Sequence, residues 1–217
     1  MKKLIFLTLV ALVFPSFAVE AAPNPLENKL IALDAGHGGS ESGAVNGTYG
    51  VAEKDVNLAT VLDLKARLEA NGAIVVMTRE ADETINTNKQ RVEIALSKCQ
   101  LAGGRKCDIL VSVHHNGSTT NTVDGTMILY NEKKDKALAT ALHNSLIAGL
   151  NLPDLGYDNG GWGITVYGNL VSSLTEGYFI TNNNEAQQYL AGTRVPQEAQ
   201  ALYTGLLNYF STKTGKR

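Results

Sequence analysis

Four short stretches of this sequence hold residues able to do chemistry. The first is Asp34-Ala35-Gly36-His37-Gly38-Gly39, where three glycines around one histidine let the backbone approach a ligand closely. Its spacing is wrong for a phosphate-cradling loop, and no Lys-Ser/Thr pair follows it. The second is Glu53-Lys54, shortly after Gly50. The third is Ser112-Val113-His114-His115-Asn116. Adjacent histidines on an extended backbone point to opposite sides, so at most one readily joins a given site. The fourth is Leu174-Thr175-Glu176-Gly177, in which a glutamate closes an apolar run. Burial there would raise its pKa and suit it to proton transfer near neutral pH.

Each stretch alone has a plainer explanation. His37 fits a glycine turn satisfied by backbone groups. Glu53 fits a helix start, where a carboxylate complements the dipole. Either histidine of the third stretch fits a hydrogen-bonded core residue, and Glu176 an ordinary strand-end carboxylate. Read together they say more. Two histidines and one carboxylate form a catalytic zinc set that leaves one coordination position open. A second glutamate off the metal then serves as base, the combination that metal-assisted amide hydrolysis needs.

The elements that must position these residues follow from periodicity. Leu30 to Leu33 reads as a short buried strand running into the glycine loop. Asp55 to Ala70 carries apolar residues at helical spacing and stops at Asn71-Gly72. Ala73 to Thr78 is a β-branched strand, Asn86 to Leu101 a second helix, and Asp108 to Val113 a strand apolar enough to be covered on both faces. Gly125 to Tyr130 is a further strand and Asp135 to Leu150 a helix. Gly156 to Gly168 reads as loop, with an extended piece at Ile164 to Tyr167. Leu170 to Thr175 is the last strand, and Asn184 to Leu190 and Pro196 to Phe210 are helices. This alternation predicts one α/β domain with a largely parallel sheet. Three of the four stretches then lie at carboxyl ends of strands, where open α/β sheets collect ligands.

Composition narrows the function classes. The chain has 217 residues, 44% of them hydrophobic and 18% charged, which suits one globular domain with a real core. A formal net charge of -2 leaves no basic field for nucleic acid. Lys2 and Lys3, the apolar run Leu4 to Phe14 and the small residues after it read as a secretory signal peptide. The run is short for a membrane span and Pro15 interrupts it, so no stable membrane anchor is expected after processing. The domain reading is therefore a signal peptide over 1–21, a linker over 22–28, a catalytic domain over 29–212 and a tail over 213–217. Action outside the cytoplasm, in the periplasm or at the cell wall, makes a Cys99–Cys107 disulfide plausible; two free thiols remain the alternative.

In order and spacing the motifs resemble the zinc-dependent N-acetylmuramoyl-L-alanine amidases of bacterial cell walls. The resemblance runs from about Lys29 to Phe210. It is carried by Leu-Asp-Ala-Gly-His-Gly-Gly, the Gly-x-x-Glu-Lys step, Thr78-Arg79, Ser-Val-His-x-Asn and the Glu-x-x-Phe-Ile-Thr-Asn close. It implies one zinc ion held by His37, Glu53 and His114, with Glu176 as the catalytic glutamate. It implies a mixed, mostly parallel sheet with helices on both faces. The implied reaction cleaves the amide between the lactyl group of muramic acid and the first L-alanine of the peptidoglycan stem peptide. Arg79, His115 and Asn116 are candidates for substrate contact or for support behind the ligands, Arg79 also for oxyanion stabilisation. A different zinc peptidase or deacylase, or a non-catalytic wall-binding regulator, are the alternative functions.

The sequence departs from the family pattern in three places. His115 stands where a small residue is usual, Tyr178 where glycine is usual, and Cys99 to Cys107 replaces a short helix-to-strand connection. His143 has no matching partner and reads as surface or structural. Some relatives carry a blocking helix between the second histidine and the catalytic glutamate; here that stretch predicts a site left open. No wall-binding repeat is recognised, so reliance on an activating protein, on the groove itself or on confinement is expected.

Overall fold

The computed structural model describes residues 24–214, so the signal-peptide reading lies outside the described residues. In chain order the elements are β1 (Leu30–Ala35), β2 (Val45–Asn46), β3 (Val51–Ala52), α1 (Glu53–Ala70), β4 (Ile74–Met77), α2 (Asn88–Gly103) and β5 (Ile109–Asn116). They continue with β6 (Thr126–Leu129), α3 (Lys136–Leu150), β7 (Asp154–Asp158), a 3₁₀ turn (Gly163–Val166), β8 (Ser172–Phe179), α4 (Asn183–Leu190) and α5 (Arg194–Thr214).

The main sheet has the order β4-β1-β5-β8-β6-β7. The first four of these strands are parallel; β6 runs antiparallel to β8, and β7 runs parallel to β6. This is the mixed, mostly parallel α/β sheet that the sequence pattern and the family resemblance implied. Alternation along the strands splits the core in two. Ile31, Leu33, Ile109, Val111 and Val113 pack with α1, α3 and α5 on one face. Leu30, Ala32 and Leu110 pack with Val92 and Ala95 of α2, Ile164 and Leu170 on the other.

Several boundaries differ from the sequence reading. The glycine-rich stretch begins inside β7, whose mostly exposed residues give little apolar signal, and Ile164 lies in the 3₁₀ turn rather than an extended piece. The hairpin β2–β3 has two-residue strands, too short for periodicity to reveal. The segment read as a linker is docked onto the domain: Leu26 is fully buried, and Asn24 donates to the Asn71 carbonyl at 2.7 Å. At the far end α5 continues through Thr214, into the segment read as tail. Cys99 and Cys107 form a disulfide joining the last turns of α2 to the approach to β5.

Candidate metal centre

The glycine loop leaves β1 at its carboxyl end and turns sharply. His37 has φ 59° and Gly39 φ 58°, both in the left-handed region, and Gly38 has φ 130°. A non-glycine residue held there requires a surrounding structure that over-determines it. Buried arginines provide that. Arg79 donates to the carbonyls of Ala35, Gly36, Lys54 and Ala81 at 2.8–3.0 Å. Arg91 donates to the Ala35 and His37 carbonyls at 3.0 and 2.8 Å and pairs with Asp34 at 3.0 Å. Burial raises the Asp34 pKa, but Arg91 and the hydroxyls of Ser112 and Thr78 outweigh it and hold this carboxylate below its usual range.

Glu53 opens α1 without a side-chain cap. The loop before the helix supplies the missing acceptors: Glu53 N donates to Ala44 O at 2.8 Å, and Lys54 N to Ser42 O at 3.0 Å. The Glu53 side chain is thus free to turn inward, where Oε2 accepts from Ala44 N at 2.9 Å. Gly43 is required beside it, since a Cβ there would lie 2.4 Å from Glu53 Oε2 and 2.6 Å from His37 Cδ2.

Three donors converge at this point. Glu53 Oε1 lies 3.1 Å from His37 Nε2 and 3.0 Å from His114 Nδ1. The ligand atoms of the three residues lie within 4.8 Å of one another. The surroundings favour a cation. Burial lowers the His37 pKa, yet the carboxylates of Glu53 and Glu41 outweigh it and raise the value. Burial likewise opposes ionisation of Glu53, yet hydrogen bonds and charge from His114 and His37 depress its pKa. Glu41 Oε1 lies 3.3 Å from His37 Nδ1, an ion-pair distance, on the side of the ring opposite the Nε2 that faces Glu53. Two imidazoles and a carboxylate, with the imidazoles partly exposed, fit a metal with an open position.

Glu176 lies beside this set, paired in register with His114 across β5 and β8. Its Oε2 is buried with no hydrogen-bond partner. Burial, then the charges of Glu53 and Glu198, push its pKa up to about 8.

The remaining sequence candidates fall elsewhere. Arg79 commits four of its five N–H donors to backbone carbonyls and is 1% exposed, so it shapes the glycine loop rather than facing a substrate oxyanion. His115 turns to the opposite face from His114, bonding Asn57 and Glu198 at 2.7 and 2.8 Å. Tyr178, the other departure, is buried with its ring centroid 4.3 Å from that of His115. Asn116 accepts from Gly117 N and reaches Met127 Sδ at 3.5 Å, capping its own strand end. His143 is buried and bonds Asp154 at 2.8 Å, a structural pair. The helix between His114 and Glu176, α3, packs against α5 in the core; the His37 and His114 side chains keep 21% and 18% of their exposure. Sequence reasoning missed Asn57, Glu198 and Arg91, and took Asp34 only as part of the glycine-loop stretch without its pairing to Arg91. A buried polar residue inside an apolar element, as Asp34 is in β1, was the available signal.

Fold and site together define an α/β domain with a candidate metal centre at the carboxyl edge of its parallel strands. The model of the N-acetylmuramoyl-L-alanine amidase family matches residues 31–208, and the chain belongs to that family. Among its relatives, N-acetylmuramoyl-L-alanine amidase LytC of Bacillus subtilis (strain 168) is 29% identical over 191 residues, covering 86% of this chain but 36% of LytC. The catalytic domain of CwlV, an N-acetylmuramoyl-L-alanine amidase from Bacillus (Paenibacillus) polymyxa var. colistinus, superposes with a TM-score of 0.76 at 28% identity. That match covers 84% of this chain and 98% of the CwlV domain. The CwlD amidase from Clostridioides difficile, solved in complex with the GerS lipoprotein, gives a TM-score of 0.72 at 26% identity, covering 85% and 100%.

Proposed function

We propose that this chain is a zinc-dependent N-acetylmuramoyl-L-alanine amidase acting on peptidoglycan outside the cytoplasm. The observation that carries the reading is the convergence of His37, Glu53 and His114 beside the buried, unpartnered Oε2 of Glu176. Family membership supplies the bond: the amide between the muramoyl lactyl group and L-alanine.

When bound, zinc supplies Lewis acidity, which polarises a carbonyl oxygen and acidifies a water molecule. The chain does the rest. His37, Glu53 and His114 hold the ion, with Glu41 and Asn57 orienting two of them. Glu176 removes a proton from the attacking water as its oxygen bonds to the scissile carbon. It passes that proton to the amine nitrogen as the C–N bond breaks. A pKa near the working pH lets one group do both. Products are the lactyl carboxylate and a stem peptide with a free L-alanine amino terminus.

Export rests on the N-terminal segment of the sequence. Among the described residues no helix is long and apolar enough to cross a membrane. CwlD was solved in complex with the GerS lipoprotein, and a protein partner of this chain is proposed on that likeness.

The test is metal analysis of the purified protein together with mass spectrometry of digested muropeptides. One zinc per chain and release of stem peptide beginning at L-alanine are expected. Full activity without stoichiometric zinc, or cleavage at a different bond, overturns the reading.

A further inference from the structure

β5 carries two adjacent histidines near its end, and only His114 joins His37 and Glu53. His115 lies on the other face with a fully buried side chain. Its Nδ1 is 2.7 Å from Asn57 Oδ1 and its Nε2 is 2.8 Å from Glu198 Oε2. Asn57 fixes the direction of this chain of bonds. Its amide nitrogen donates to Gly36 O at 3.0 Å and to Glu53 Oε1 at 3.3 Å. Its carbonyl oxygen therefore accepts, and His115 Nδ1 carries the proton. One further proton lies between His115 Nε2 and Glu198. Thr60 Oγ1 approaches the same Glu198 oxygen at 3.3 Å. The result is a continuous path from α5, through the end of β5, to α1 and the Glu53 carboxylate.

Packing alone does not account for it. Asn57, Thr60 and Glu198 are 0% exposed and His115 1%. Burying an ionisable pair carries a desolvation penalty, and apolar side chains of similar volume generally serve a core as well or better. Glu198 also keeps one oxygen without a hydrogen-bond partner. That oxygen faces Gly177, the residue after Glu176, so closely that a Cβ there would lie 2.3 Å away. The pair touches the site at two further points. His115 N donates to Glu53 Oε1 at 3.1 Å, and the Gly36 carbonyl held by Asn57 belongs to the glycine loop.

We propose that His115 and Glu198 are a positioning pair that orients Asn57, and through it holds Glu53 and the glycine loop in metal-binding geometry. The inference rests on reading His37, Glu53 and His114 as metal ligands.

The experiment compares zinc affinity, by competition with a chelator, and the visible spectrum of the cobalt(II)-loaded protein. His115→Ala alone strands a buried carboxyl group and is expected to be unstable for that reason. The informative variant is His115→Ala/Glu198→Leu, which removes both members; circular dichroism and thermal melting report its fold. Zinc affinity is expected to fall about 10–100-fold, the usual cost of losing a partner behind a ligand, with an altered cobalt spectrum. Glu198→Gln, whose amide can donate to His115 Nε2, is expected to keep most of the affinity. Asn57→Leu is expected to weaken zinc as the double variant does, and the triple variant to add little, since all three lie on one path. Affinity and spectrum like wild type in the double variant, at any melting temperature, overturn the positioning role. Full additivity with Asn57→Leu overturns it too, even if the double variant is poorly folded. A wild-type protein that binds no zinc fails differently: it sinks the metal reading itself.

Discussion

His114 and Glu176 are register partners on adjacent parallel strands, and the ladder between β5 and β8 slips immediately beyond them, so that Asn116 pairs with Phe179. Register partners share a face of the sheet, so Glu176 is delivered beside an imidazole donor by backbone pairing alone. Glu176→Gln keeps the shape and removes the proton acceptor. Turnover is expected to fall about 10²–10⁴-fold, the usual contribution of general acid–base catalysis, with zinc content unchanged. A variant with wild-type turnover on muropeptides shows that Glu176 is not the base.

How far the sequence carried depends on which residues had local signals. Leu30 to Leu33 is apolar and runs into a glycine loop, so both β1 and the placement of His37 could be read directly. Adjacent His114 and His115 had to face opposite ways, and they do. Glu53 was ambiguous, because helix starts favour acids whether or not they bind anything. What stayed hidden is long-range: Asn57 meets His115 across 58 residues and Glu198 meets it across 83. A buried carboxylate on α5 has no periodic signature, and its purpose exists only once β5, α1 and α5 are packed together. The same holds for Arg79, whose four carbonyl partners come from three segments of the chain.

Gly36 tests the tightness of the site without removing any donor. A Cβ there would lie 2.2–2.6 Å from three atoms of the His114 ring. Gly36→Ala must displace that ring, at a cost of about 1–3 kcal/mol for overpacking. Zinc affinity is expected to drop at least about tenfold, because a ligand moved by even an ångström leaves its coordination geometry. Gly47→Ala is the control, since a Cβ there meets nothing within 4 Å. Equal zinc binding in both variants contradicts the crowding.

The metal-free protein should lose stability as pH rises. Glu176, with its pKa pushed from 4.5 up to about 8, binds its proton more tightly folded than unfolded. Its contribution is therefore full below about pH 4.5 and declines as pH rises towards about 8, by roughly 1.4 kcal/mol per unit. The raised pKa of His37 adds a decline of the same sign. Urea midpoints of the metal-free protein, measured across this window, should fall for wild type and fall less steeply for Glu176→Gln. Parallel curves for the two proteins contradict an elevated Glu176 pKa.

The disulfide separates stability from the site. Cys99 and Cys107, eight residues apart, tie the carboxyl end of α2 to the start of β5. The metal donors lie at the other end of these strands. Closing so short a loop contributes about 2–3 kcal/mol by chain entropy. For a domain of this size each kcal/mol is roughly 2–4 °C in melting temperature. Cys99→Ala/Cys107→Ala is thus expected to melt several degrees lower. Two routes lead to the site: β5, which is held by its ladders to β1 and β8 on the way to His114, and α2, which leads to Arg91, the residue holding the Asp34 carboxylate and the His37 carbonyl. Arg91 lies about two helical turns before Cys99 and is anchored by those bonds, so fraying at the disulfide stops short of it. Zinc affinity is expected to stay at the wild-type value. If affinity falls with the melting temperature, α2 or β5 transmits strain along its length and its anchor is weaker than its geometry indicates.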